Sequence, residues 1–193
     1  MEIITRGLAF RGGWGCNFAG NIFMPSRCLI AGLLIVVLQL VGSPASAGDL
    51  PAPTGDVILT VSGNIANTNG NGRARFDRAM LESLGTTVLE TSTYWTDNVV
   101  RFDGVLARRV VAAVGGKGKI AIATALNDYK IEIPLSDFSR YDVLLALKMN
   151  GEYMRVRDKG PIWIVYPVDQ HPELDNELIR NRWIWQLSKL EIQ

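Results

Sequence analysis

The sequence is poor in side chains that bind transition metals or act in covalent catalysis. Its 193 residues include two cysteines, Cys16 and Cys28, and a single histidine, His171. Two cysteines so near the start exclude a disulfide-stapled fold and a cysteine-rich zinc module. One histidine leaves almost no room for a histidine-based metal site or a Ser-His-Asp triad. Much of ordinary enzyme chemistry is therefore excluded.

The sequence also lacks an excess of charge of either sign. It has 20 basic and 19 acidic side chains, which give a formal charge of +1, and 48% of its residues are hydrophobic. A near-neutral chain has no electrostatic footprint for nucleic acid, so we expect no nucleic-acid partner. The apolar content excludes a disordered protein. The length suits one domain with an appendage.

The longest hydrophobic run lies near the start of the chain and predicts an export signal. Residues 28–41 read CLIAGLLIVVLQLV, and Arg27 stands just before them. Small residues follow at Ala45 and Ala47, so we expect cleavage before Gly48. The run is short for a transmembrane helix, although an uncleaved membrane anchor is the alternative interpretation.

The predicted signal peptide covers residues 1–47. Met24 would itself make a normal start, which leaves open whether residues 1–23 are an upstream extension. No twin-arginine pair precedes the apolar run, and this favours general secretion of an unfolded chain. We therefore expect a periplasmic or secreted protein with no stable membrane anchor after cleavage. The mature part, from Gly48 onward, contains no cysteine.

The mature part predicts a β-rich α+β fold in a single domain, residues 57–193, after a flexible Pro-rich lead-in at residues 48–56. Asn150-Gly151 is a strong hairpin signal, and Asn127-Asp128 predicts a turn between two strands. The predicted strands are 57–65, 86–91, 120–125, 129–134, 143–149, 162–166 and 183–192. The predicted helices are 76–84, 105–114 and 173–182.

Four segments in matching order resemble one family. Residues 141–152, YDVLLALKMNGE, resemble the "DVLLAYxMNGE" segment of sulfite oxidases, and residues 159–167, KGPIWIVYP, resemble their "G-x-P-L-R-x-V-V-P". Residues 102–115 and 183–192 are similar to a helical segment and to the closing segment of the same proteins. The chain thus resembles the molybdopterin-binding oxidoreductase domain, the sulfite-oxidase fold, in a short bacterial exported version.

The resemblance also shows where this sequence departs from the family. A cysteine thiolate that ends a "T-L-Q-C" strand holds molybdenum in those proteins, and Thr91 stands at that position here. A neutral hydroxyl is a poor replacement for a thiolate. Trp163 replaces the arginine of "P-L-R" and cannot bind an oxyanion bidentately. We therefore expect a retained fold with no metal and no cofactor. The alternative is an active molybdopterin oxidoreductase with an oxygen ligand from Thr91 or Ser92.

Candidate site residues follow from the resemblance and from local charge, and no catalytic residue is assigned. The candidate pocket-lining residues are Thr91, Ser92, Thr93, Trp95, Asn127, Asp128, Tyr129, Arg155, Lys159 and Trp163. Each group has a plain structural alternative. Residues 91–95 could be a polar strand end, residues 127–129 a simple turn, and the basic residues 155–159 a solvated hairpin edge instead of an anion site. We expect a periplasmic non-catalytic module that binds a small or anionic ligand or a membrane sensor partner.

Overall fold

The computed structural model describes residues 50–193, so the predicted signal peptide lies outside the described residues. The first of two sheets has five strands in the order β2-β1-β10-β5-β6. They are β1 (Val57–Gly63), β2 (Ala74–Asp77), β5 (Ile120–Ala125), β6 (Lys130–Pro134) and β10 (Leu187–Ile192). Strands β1 and β10 are parallel, and every other pair in this sheet is antiparallel.

The second sheet is antiparallel and also has five strands. They are β3 (Thr86–Thr91), β4 (Val100–Leu106), β7 (Leu144–Met149), β8 (Glu152–Tyr153) and β9 (Trp163–Val165). The order is β3-β4-β7-β8, and β9 pairs with β7. The predicted Asn150-Gly151 hairpin is confirmed, because both residues have positive φ, 51° and 85°, and join β7 to β8.

Short helices connect the strands. They are α1 (Arg78–Ser83), α2 (Ala107–Ala113), α3 (Leu135–Arg140) and α4 (Glu177–Arg180). No helix within residues 50–193 is long and apolar enough to cross a membrane. The core is built mainly from alternating strand positions such as Leu59 and Val61, and from the run 162–166, which is fully buried. That run was predicted as a buried strand, and its burial is confirmed.

Several predicted elements differ from the structure at their ends, and two of these differences have a clear physical cause. Val105 and Leu106 were predicted to begin a helix, but they pair with Leu145 and Leu144 as the last residues of β4. The sheet pairing outweighs their helical spacing, so α2 begins later. The predicted closing strand 183–192 is shorter, because Gln186 adopts a positive φ of 55° that interrupts extended backbone.

Helix α3 was not predicted, and the predicted helix 173–182 is broken. The break comes after the 3-10 turn Pro172–Leu174, and α4 begins separately with Asn176 as its N-cap. The side chain of Asn176 accepts a hydrogen bond from the backbone N–H of Ile179 at 3.0 Å. A capping side chain fixes a helix start more strongly than the polar composition of the segment does.

Hydrogen bonds hold the described part of the predicted flexible lead-in to the first sheet. The backbone N–H groups of Thr54 and Gly55 each donate to Oδ2 of Asp77 at 2.8 Å. The other oxygen of Asp77 accepts from the N–H of Met80 at 2.8 Å and caps α1. Asp77 is buried, so its carboxylate joins the lead-in, β2 and α1.

The carboxylate of Asp77 should make stability depend on acid pH. Hydrogen bonds from the N–H groups of Met80 and Gly55 lower the pKa of Asp77 below its usual value. A carboxylate with a lowered folded pKa stabilises the fold above its unfolded pKa, near about 4, and this contribution is lost as pH falls through the folded value. We expect Asp77→Asn to melt below the wild type at neutral pH, and the difference to shrink in acid.

Thermal unfolding from about pH 7 to about pH 2.5 measures this difference. Asp56→Asn is the matched control, because Asp56 is an exposed neighbour for which no side-chain hydrogen bond is found in the described part of the chain. A wild-type-minus-variant difference that stays constant across this range would contradict the assignment.

Candidate functional site

The four tryptophans of residues 50–193 lie in one cluster. They are Trp95, Trp163, Trp183 and Trp185. The ring centroid of Trp95 lies 6.1 Å from that of Trp163, 5.8 Å from that of Trp183 and 5.5 Å from that of Trp185. Most of these ring pairs meet edge to face, the arrangement that aromatic quadrupoles favour. We call this group the tryptophan cluster.

Backbone pairing between distant segments positions the cluster. Trp163 begins β9, and the N–H of Ile164 donates to the carbonyl oxygen of Ile184 at 2.9 Å. This hydrogen bond holds the segment that carries Trp183 and Trp185 beside β9. Trp95 reaches the same place from the loop after β3. Trp163 and Trp183 are buried, whereas Trp95 is 39% and Trp185 is 37% exposed, so Trp95 and Trp185 form the outer layer.

A cavity of about 280 Å³ lies against the cluster. Trp95, Trp183 and Trp185 form its aromatic wall, and Asn127 and Tyr129 reach it from the turn between β5 and β6. The remaining lining residues are Ala125, Arg180, Asn181 and Ile184. We call it the tryptophan cavity. It brings together Trp95 with Asn127 and Tyr129, which were predicted from separate parts of the sequence.

Arg180 supplies the positive charge on the cavity wall. Its guanidinium lies 3.9 Å from the centroid of the Tyr94 ring, and Nη2 donates to Oδ1 of Asp175 at 3.2 Å. The hydroxyl of Tyr94 also donates to Asp175. Burial, followed by the hydrogen bond to Asp175, raises the pKa of Tyr94. The hydrogen bond from Tyr94, followed by that from Arg180, lowers the pKa of Asp175. At pH 7 Asp175 and Arg180 are therefore charged, whereas Tyr94 is neutral.

Thr91, which the family resemblance aligns with the metal ligand, is fully buried. Its Oγ1 accepts a hydrogen bond from the N–H of Asp169 at 3.4 Å. The N–H and Oγ of Ser92 donate to the Asp169 carboxylate at 2.7 and 2.5 Å. Oγ1 of Thr93 lies 2.8 Å from Oγ1 of Thr96. The hydroxyl groups of residues 91–93 are therefore engaged within the protein.

The predicted basic group lies at a different cavity, of about 720 Å³, that is wide open to solvent. Arg155 Nε donates to Asp158 at 2.7 Å, and Arg157 lies 3.8 Å from the same carboxylate. The hydrogen bond from Arg155 lowers the pKa of Asp158. Lys159 lines the same cavity, and its Nζ also lies 5.2 Å from the centroid of the Trp163 ring. The structure therefore places both Arg155 and Lys159 outside the tryptophan cavity.

The remaining predicted residues fall in three places. Ser92 and Thr93 line a cavity of about 340 Å³ beside Asp169. Asp128 is exposed and adopts a positive φ of 64° as a turn residue. Trp163 lies fully buried in the cluster.

Sequence reasoning assigned no site role to Arg180, Asn181, Trp183 or Trp185. The spacing of two residues between Trp183 and Trp185 is the available signal, because residues two apart lie on one face of an extended segment.

The two sheets and their short helices define a β-rich α+β domain. The chain belongs to the oxidoreductase molybdopterin binding domain family, because the model of that family matches residues 66–169, more than half of the sequence. The predicted family and the sulfite-oxidase-type fold are both confirmed. No curated protein matches the sequence.

The residues present do not fit the molybdenum cofactor as the family's ligand pattern requires. Residues 50–193 contain no cysteine, and Thr91, which the resemblance aligns with the ligand, is buried with its hydroxyl hydrogen-bonded. Trp163, which the resemblance aligns with the pocket arginine, is a fully buried ring. Within the same residues, no cluster of three or more His, Cys, Asp or Glu side chains offers another metal site. The donor set therefore lacks both the soft anionic ligand and the oxyanion-binding cation.

Proposed function

We propose that this chain is an exported, non-catalytic member of its family that binds a small ligand in the tryptophan cavity. The proposal rests on two positions that the resemblance aligns with the family's cofactor-binding residues. Thr91 accepts a hydrogen bond from Asp169, and Trp163 is buried among aromatic rings. Neither side chain is free to bind molybdenum, and a cavity with aromatic and polar walls lies next to Trp183, which packs against Trp163.

The apolar run at residues 28–41 and the small residues before Gly48 support export to the periplasm or beyond. General secretion threads unfolded chains, so a cofactor inserted in the cytoplasm would not travel with this protein. In this setting a ligand-bound domain would act as a sensory or interaction module, with a membrane sensor protein as its partner. Family membership favours one competing function, an active molybdopterin oxidoreductase with an oxygen ligand from Thr91 or Ser92.

Metal analysis separates these two functions. We expect protein purified from its native source, in cells supplied with molybdate, to contain molybdenum far below a stoichiometric amount. Thr91→Ala should leave that trace content unchanged, because the buried hydroxyl of Thr91 accepts a hydrogen bond from the backbone N–H of Asp169. Ser92→Ala tests the second candidate oxygen ligand and should likewise leave the trace content unchanged. Stoichiometric molybdenum that is lost on substitution of Thr91 or Ser92 would establish the enzyme instead.

A further inference from the structure

We infer that the tryptophan cavity takes a planar aromatic carboxylate, an inference that rests on the proposed ligand-binding function. The walls supply flat apolar surface from Trp95, Trp183 and Trp185. Planar rings stack on such surfaces or meet them edge to face with little loss of conformational freedom. The cavity geometry therefore selects for a flat ligand before charge is considered.

The size of the cavity limits the ligand to a small molecule. A cavity of about 150 Å³ is enough to hold benzene, and drug-sized ligands use about 300 Å³ or more. At about 280 Å³, the tryptophan cavity has room for one ring, or a small fused ring, with a short acidic group.

The charge around the cavity favours an anion. Arg180 is the one charged side chain among the lining residues that the structure describes, and no carboxylate lines the wall with them. Asp175 accepts a hydrogen bond from Nη2 of Arg180. Arginine carries five N–H donors, so other donors remain for a ligand. Asn127 and Asn181 add neutral amide donors at the same wall. A carboxylate bound there would gain charge-assisted hydrogen bonds.

The same charges disfavour a cationic ligand, which aromatic clusters otherwise attract. Lys159 Nζ already lies 5.2 Å from the ring centroid of Trp163 and 5.8 Å from that of Trp185. Arg180 lies over Tyr94 and lines the cavity itself. A quaternary ammonium group bound in the cavity would therefore meet the positive charge of Arg180, with that of Lys159 near the same rings, and this repulsion opposes the cation–π attraction of the tryptophans.

Calorimetric titration of the purified full chain with four probes tests this inference. The probes are benzoate, benzyl alcohol, benzyltrimethylammonium and acetate, which separate the contributions of ring and charge. We expect benzoate to bind most tightly, and Arg180→Gln to weaken it by about tenfold while changing benzyl alcohol affinity less than about twofold. Tryptophan fluorescence gives a second readout, because four of the five tryptophans of the chain lie in the cluster.

Two control variants distinguish a specific loss of binding from a loss of folding. Arg180→Lys keeps the charge and should retain most of the benzoate affinity, whereas Arg157→Gln removes an exposed arginine at the other cavity and should retain all of it. Tighter binding of acetate or benzyltrimethylammonium than of benzoate would overturn the ligand class and leave the proposed function standing. Binding of no probe would also overturn the ligand class, and only stoichiometric molybdenum would overturn the proposed function. Benzoate affinity unchanged in Arg180→Gln would overturn the role of that charge.

Discussion

Replacing Asp137 with alanine is expected to lower the free energy of unfolding by about 3–5 kcal/mol. Asp137 lies in α3 and is buried, and its Oδ2 accepts hydrogen bonds from Arg182 Nη1 at 2.6 Å and from the hydroxyl of Tyr166 at 3.0 Å. Removing the carboxylate would leave the largely buried guanidinium of Arg182 without its counter-charge. It would also leave the Tyr166 hydroxyl, in a fully buried residue, without an acceptor.

Urea unfolding measures this loss, and Asp142→Ala is the matched control. Asp142 forms an ion pair with Arg108, but both side chains are about half exposed, so this pair should contribute less than about 1 kcal/mol. Asp137→Asn should fall between the two variants, because an amide oxygen can still accept from Tyr166 but no longer neutralises Arg182. A loss below about 1 kcal/mol in Asp137→Ala would show that the buried pair contributes no more than a surface pair.

The Asp137 interaction also positions the tryptophan cavity. Arg182 directly precedes Trp183 and follows Asn181, which lines the cavity. The ion pair to Asp137 fixes this segment against α3, and burial, followed by the charge of Asp137, raises the pKa of Tyr166 above its usual value. Tyr166 is therefore a neutral donor at every physiological pH. Loss of these hydrogen bonds should displace the segment that carries Trp183 and so change the wall of the tryptophan cavity.

The strands with a clear apolar pattern could be predicted from the sequence. Strands β3 and β5 have the predicted bounds, and β1, β6 and β7 differ by one or two residues at their ends. Local patterning is sufficient there, because β1 buries alternate side chains and β7 is a short continuous apolar run that ends at a turn. It fails at Val105 and Leu106, where pairing to β7 decides the structure, and at Gln186, where a single backbone conformation ends a strand.

The site could be predicted only where the family resemblance placed residues. Thr91 and Trp163 were recognised by position in the family's motifs, and their burial explains why they cannot act as their counterparts do. The tryptophan cavity could not be predicted, because Trp95 and Arg180 meet across 85 residues of sequence through the packing of two connecting segments. No local sequence pattern predicts that these two side chains line the same cavity.

Restoring the family's arginine at position 163 is expected to unfold the domain rather than to restore a cofactor site. Trp163 is fully buried, and its ring centroid lies 5.3 Å from that of Phe102 and 6.0 Å from that of Trp183. Trp163→Arg would lose this packing and bury an unpaired charge near Lys159, whose Nζ lies 5.2 Å from the ring. We expect a loss of more than about 4 kcal/mol in urea unfolding.

Trp163→Phe separates packing from hydrogen bonding at the same position. The indole N–H groups of Trp163 and Trp183 are buried and have no hydrogen-bond partner among the described residues. Phenylalanine therefore gives up no hydrogen bond and should lose only about 1–2 kcal/mol from the smaller ring. If Trp163→Arg is instead as stable as Trp163→Phe, and Thr91→Cys combined with it takes up molybdenum, the cleft would be an intact cofactor site that lacks only two side chains. The burial of Trp163 argues against that outcome, because a ring packed on every side leaves no space for the solvated or oxyanion-paired guanidinium that the family's motif requires.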